Sequence, residues 1–416
     1  MVVFYSFRLN LLMGKSPPVK SNPPPATRRN NFTIKRFIHN NLNIELAIGP
    51  ELGFGVVSKE TEKQQILLNI KKKIHLYSMD LSIVDLSPLI PGQTRHDALH
   101  NSIEVAQHIE KLGYKRIWFA EHHSTAWVVG RAPEVMMAAA AAHTSSIRVG
   151  SGSVLLNQYS PLKVAEEFST LHELYPNRVD VGIGRANTDP VTDLALQQDR
   201  SKRFQANSDE QIQELVTWFN DDFPRDHPFS QITLHTLETP PPLYLLGSSP
   251  WSASAASQLG LPYVFAGFIN QTGTPDILSD YHNNFEPSNS PIGIESPKAI
   301  LSVHVVCADT EEEALRQLAP ITLMYRYLSK GITDAKLPTP DNAIEELGGL
   351  PKRQPYEKGS GIPPRFIGGT PEQVHEELSQ LSEDLSIDEI IIQDLMTDHS
   401  ARLHSYELIA SVFKKI

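Results

Sequence analysis

The sequence predicts an α/β fold, a (β/α)8 TIM barrel with loops inserted at its C-terminal face. Three observations predict it. From Met79 onward, eight apolar runs of strand length alternate with segments of helical period. Strand and helix alternating in this way imply parallel strands joined by right-handed crossovers. Residues 79–416 also offer a length that one barrel can use, since barrels with insertions reach roughly 200 to 400 residues. An open doubly wound sheet is the competing architecture, and eight units in one chain favour closure.

The strands are expected at 80–86, 115–120, 147–154, 179–183, 243–247, 263–267, 299–307 and 388–394. Helices are expected at 96–112, 133–143, 162–174, 202–219, 250–259, 310–327, 371–384 and 400–414. Two show clear end signals. Helix 96–112 spaces Ile103, Ala106, Gln107 and Ile109 along one stripe and stops at Gly113, a C-cap residue. Helix 371–384 starts with Thr370 as N-cap, Pro371 at the first position and Gln373 at the third, a capping box. Two long connections, 220–241 and 328–369, are rich in Pro, Gly and charge, and are expected to be lids over the barrel mouth.

Charge divides the chain. Residues 1–78 hold twelve basic and four acidic residues, whereas 79–416 hold 25 basic and 44 acidic ones. The acidic body argues against nucleic acid as a partner, because phosphate neutralisation needs a net supply of Lys and Arg. The basic head, with no acidic residue before Glu45 and with clusters such as Pro23-Pro24-Pro25, cannot bury a core by itself. It reads either as a transit-like extension or as sequence upstream of a working start near Met79. The expected domain is therefore 79–416. A single Cys307 excludes an internal disulfide and cysteine-based metal sites, and no metal is expected. No apolar run nears the roughly 18 residues of a membrane span, so a soluble, cytoplasmic protein is expected.

In a barrel, chemistry sits where strands end. Strand two runs into Glu121-His122-His123, and strand alternation would let one imidazole face the mouth, as a proton-transfer group or as a residue satisfied by loop contacts. Strand three carries Gly150-Ser151-Gly152-Ser153 where branched residues would be usual, which suits either a flat ligand close to the backbone or a barrel-corner kink. Strand four ends in Gly182-Ile183-Gly184-Arg185-Ala186-Asn187. Its arginine reads either as a ligand for phosphate or carboxylate or as a surface ion pair. Strand five ends in Gly247-Ser248-Ser249-Pro250-Trp251-Ser252, an opening for phosphate at a helix N-terminus or plain N-capping by Ser249.

Four ordered stretches, Trp118 to His123, Ile147 to Gly152, Ser160 to Phe168 and Asn177 to Arg185, resemble the bacterial luciferase-like family of flavin-dependent monooxygenases, single-chain branch of unknown substrate. The resemblance implies the same barrel and assigns roles. His122 would be the catalytic histidine. Gly152-Ser153 would form a non-proline cis peptide supporting the isoalloxazine ring. Arg185, Asn187, Ser248, Ser249 and Ser252 would surround the phosphate of FMN. It also implies reduced FMN supplied by a separate reductase, O2 as co-substrate, a small organic substrate and a homodimer. Gly184 stands where the bioluminescent members have a cysteine, a departure that counts against light emission and leaves flavin binding intact. Two other functions fit the same resemblance, hydride transfer with the deazaflavin F420 and non-catalytic flavin binding.

Overall fold

A computed structural model describes residues 79–185, 190–196, 208–232, 234 and 239–413. The basic head and Asn187 lie outside the described residues. In chain order the elements are β1 (Asp80–Asp85), α1 (Arg95–Leu112), β2 (Arg116–Phe119), α2 (Pro133–Ala142), β3 (Arg148–Ser151), β4 (Val154–Leu155), α3 (Pro161–Leu174) and β5 (Val179–Gly184). Next come α4 (Pro190–Leu196), α5 (Ser208–Asn220), β6 (Leu243–Gly247), α6 (Pro250–Gln258), β7 (Tyr263–Ala266), α7 (Thr274–Asn283) and β8 (Ala299–Cys307). The chain continues with α8 (Glu311–Ser329), α9 (Pro340–Leu347), β9 (Phe366–Gly369), α10 (Pro371–Leu385), β10 (Glu389–Gln393) and α11 (His399–Phe413).

The ring runs β1-β2-β3-β5-β6-β7-β8-β10, and β10 pairs with both β8 and β1, so the sheet closes. All pairs are parallel. These eight strands are the eight expected from the sequence, and the open-sheet alternative is set aside. Strand 147–154 is interrupted, however: β3 ends at Ser151, Gly152-Ser153 is a cis peptide, and β4 resumes beside β5 with Val154 opposite Ile183.

Four elements were not expected, the seven-residue helix α4 being one of them. Strand β9 pairs with the far half of β8, His304 to Cys307, outside the ring. Its Phe366-Ile367-Gly368-Gly369 is short and half glycine, too weak a strand signal to stand out. Helix α7 begins after Gly273 without a side-chain cap, and its buried Ile277, Leu278 and Tyr281 span a single turn of pattern. Helix α9 lies inside the 328–369 connection, capped by Thr339 and closed by Gly348 in the left-handed region. The expected helix 202–219 is observed from Ser208, with 202–207 outside the described residues.

Helix ends follow their signals. Thr94 and Asp97 form a capping box on α1 and Gly113 closes it at φ 86°; Thr370 and Gln373 do the same at the start of α10. The buried stripe of α1 is Ala98, Ser102, Val105, Ala106 and Ile109. Alternation along the strands sends Ile83, Ile117, Val149, Val181 and Ile392 into the main core, which the helices cover.

The opposite faces point into the barrel. Near the strand starts they are charged: buried Arg116 pairs with Asp180 at 2.6 Å and Glu389 at 2.7 Å. Arg148 also holds Asp180, and Lys115 also holds Glu389 at 2.7 Å. Trp118 lies one layer above and donates its indole N–H to Asp180 at 3.0 Å. Gly150 exists for that indole, because a Cβ there would fall 2.5 Å from Trp118 Cδ1 and 2.8 Å from Asp180 Cβ. What approaches this strand at Gly150 is thus a neighbouring side chain.

Candidate active site

The C-terminal ends of the ring strands enclose a cavity of about 540 Å3, within the range of ~300 to 1,000 Å3 usual for organic ligands. Its floor is mostly apolar, with Val84, Trp118, Leu246, Val264 and Ile391 joined by the polar Ser302 and Gln393. Its rim is polar. His122, Gly152, Ser153, Arg185, Ser248, Ser249 and Ser252 all line it, so the fold brings together every sequence-predicted site residue except Asn187, which lies outside the described residues.

His122 and His123 both reach the cavity wall, which corrects the expectation that only one could. Strand β2 ends at Phe119, and beyond a strand the alternation of side chains no longer holds. The two imidazoles differ in their partners. Nε2 of His123 meets the Glu121 carboxylate at 2.7 Å, and Glu121 also accepts from Leu155 N at 2.8 Å and from Tyr159 Oη at 2.5 Å. His123 is thereby a fixed part of the wall. His122 is anchored through its backbone N–H to the Gly130 carbonyl at 3.0 Å, while its Nδ1 is buried with no hydrogen-bond partner among the described residues. Burial, with His123 as a second cause, pulls the His122 imidazole down to about 4. At neutral pH it is uncharged, with one ring nitrogen carrying a proton and the other free to accept one.

At the opposite rim, Ser249 caps α6 in a capping box with Ser252, and Pro250 occupies the first turn. Ser252 is 2% exposed, and its hydroxyl is shared between the Ser249 carbonyl at 2.8 Å and Tyr263 Oη at 3.0 Å. That hydroxyl is committed to shaping the turn. With the Ser249 and Ser252 N–H groups closing the capping box and Pro250 lacking one, the donors left to a ligand are the Trp251 N–H and Ser248. Arg185 is exposed and sits 4.3 Å over the Trp251 ring, whose indole N–H donates to Asp209 at 3.0 Å. The arginine thus has a platform at the rim. Sequence reasoning passed over Trp251 as a residue of a helix turn, although an aromatic within reach of an arginine at a strand end is the signal that could have found it.

Gly184 is spatially required. A Cβ there would lie well inside contact distance of the Ser153 hydroxyl and 3.2 Å from Ser153 Cβ. Gly184→Ala is expected to lower the urea-unfolding free energy by about 1–3 kcal/mol, as overpacking does, and Gly184→Ala with Ser153→Gly to recover most of it. A single variant as stable as the parent would show that Ser153 moves freely.

The residues fit a flavin mononucleotide on structural grounds. One end of the cavity gathers an arginine, serines and a helix N-terminus suited to a phosphate, the floor offers apolar surface to a ring system, and the segment after β2 brings an unpartnered imidazole nitrogen to the wall. Comparison with known proteins agrees. The luciferase-like monooxygenase family matches residues 79–389. A Bacillus subtilis N-acetyl-S-alkylcysteine monooxygenase is 34% identical over 334 residues, 79% of this chain and 97% of its own. The crystal structure of apo-MsnO8 superposes with a TM-score of 0.72 at 38% identity, covering 82% of this chain and 99% of that one. The oxygenating constituent of the Pseudomonas putida 3,6-diketocamphane monooxygenase, solved with FMN, shares the fold at a TM-score of 0.57 and 20% identity, over 80% and 97% of the two chains. With a matched family domain that spans most of its length and a closed parallel barrel whose mouth suits a flavin, this chain belongs to the luciferase-like monooxygenases.

Proposed function

We propose that this enzyme takes reduced FMN from a separate flavin reductase and, with O2, oxidises a small organic substrate, using His122 as its proton-transfer group. The observation that carries the reading is a cavity that joins a rim bearing Arg185, Ser248, Ser249 and Ser252, an apolar floor and the unpartnered His122 Nδ1. When bound, the reduced flavin supplies O2 activation and oxygen transfer.

The protein's part is to bind, orient and keep water out. Arg185, Ser248 and the N-terminal turn of α6, shaped by Ser249 and Ser252, would hold the phosphate. Gly152 and Ser153 would support the ring system from the β3 side, where Val84 and Trp118 already pack beneath Gly152. His122, neutral and buried, can accept a proton at one ring nitrogen and donate one from the other. The mostly apolar floor, relieved by Ser302 and Gln393, favours a substrate with a hydrophobic body and a polar end. N-acetyl-S-alkylcysteines, the class named for the 34% identical relative, make a reasonable first probe.

Flavin affinity is the first test. Fluorescence titration with FMN and with F420 side by side should show preference for FMN, and O2 uptake with NADH, a flavin reductase and the thioether probes should show substrate-dependent coupling. Preference for F420 would move the enzyme to hydride-transfer chemistry, and flavin binding without any turnover would make it a non-catalytic binder.

A further inference from the structure

The loop 267–273, between β7 and α7, touches both ends of the cavity. Phe268 and Ile269 form part of the cavity wall. The next residue, Asn270, reaches across to the β6–α6 turn, where its Nδ2 donates to the Ser248 carbonyl at 2.9 Å. Its Oδ1 accepts from the Gly273 N–H at 3.1 Å, and its own carbonyl accepts from Thr274 Oγ1 at 3.0 Å. Gly273 makes this possible, since a Cβ there would lie 2.9 Å from Asn270 Cγ. From outside, Arg365, just ahead of β9, donates to the Phe268 carbonyl and to Gln271 Oε1, both at 3.0 Å. Asn270 is therefore held by its own loop and gives its amide N–H to a different one.

A peptide unit is planar, with its C=O and the following N–H pointing in opposite directions. Holding the Ser248 carbonyl thus fixes the plane that carries the Ser249 N–H, which donates to Ser252 Oγ at 3.4 Å in the capping box, and so sets the entry to α6 and the place of the Ser248 side chain. We infer that Asn270 is a positioning residue for the anion cradle, holding the Ser248–Ser249 peptide so that the turn discriminates a phosphorylated flavin from an unphosphorylated one. The inference rests on the flavin reading of the site. Asn270 touches no ligand in this scheme. It acts through the turn, so its effect should fall on the phosphate end and spare the ring.

Two variants and two ligands test this in the full chain. Asn270→Asp keeps the acceptor for Gly273 N–H and loses the donor to Ser248, while Asn270→Ala loses both without adding charge. For each, the FMN dissociation constant should rise about tenfold, the scale of one well-placed hydrogen bond, and that of riboflavin should stay within about twofold. Thermal unfolding of both variants should stay within a few degrees of the parent, the cost of one or two lost hydrogen bonds. Equal weakening of FMN and riboflavin, or discrimination that survives in both variants, overturns the inference alone. A parent protein that binds FMN no better than riboflavin overturns the phosphate reading of the turn and the inference with it.

Discussion

Replacing His122 with alanine is expected to lower substrate-dependent O2 turnover by about 10²- to 10⁴-fold, the range for a lost proton-transfer group, while FMN affinity stays within a few-fold. The split follows from geometry: the groups proposed to hold the phosphate, Arg185 and the start of α6, follow β5 and β6, and His122 belongs to the segment after β2. Turnover left at the parent level would remove His122 from the mechanism. Stability supplies an independent readout. The His122 imidazole titrates near 4 in the folded protein and near its ordinary 6.5 when unfolded, so between those values the unfolded chain binds more protons. Stability is then complete above about pH 6.5 and erodes as pH falls toward 4, by up to ~3 kcal/mol for this group. His122→Asn should lack that slope, and urea midpoints of both proteins at pH 7 and pH 4.5 measure it. Equal acid sensitivity in the two would mean that the ring is solvated.

The ring strands were legible because a buried parallel strand writes itself as a continuous apolar run, as Ile390-Ile391-Ile392 does. Helix ends were legible where side chains cap them, at Thr370 and Gly113. What escaped depends on neighbours far along the chain. Nothing local to Phe366–Gly369 says that the second half of β8 waits outside the ring for a partner. Glycine 150 looks like a ligand-clearing residue until Trp118, 32 positions earlier, is seen against it. The site residues were legible singly and their division of labour was not: that His123 is tied to Glu121, that the Ser252 hydroxyl serves Tyr263, and that Asn270 braces Ser248 are long-range or side-chain facts.

The largest loss of stability should come from Arg402. This residue of α11 is 1% exposed and donates Nη2 to Asp85 Oδ2 at 2.9 Å and Nε to Asp394 Oδ1 at 2.8 Å. Asp85 ends β1 and Asp394 follows β10, so the arginine clasps the two strands where the ring closes. Ser102 and Ser87 donate to Asp85, and Tyr406 donates to Asp394, but these neutral groups cannot replace a cation. Arg402→Met would leave two carboxylates buried without their counter-charge, at a cost of about 3–5 kcal/mol. Adding Asp85→Asn and Asp394→Asn should return much of that, because the penalty lies in the orphaned charges more than in the lost pair. Arg116 makes the control. It is as deeply buried, yet its removal leaves Asp180 with Arg148 and Glu389 with Lys115. Arg116→Met should therefore cost clearly less than Arg402→Met in urea unfolding. Equal losses would mean that cation count does not govern these networks, and that the packing volume of each arginine does.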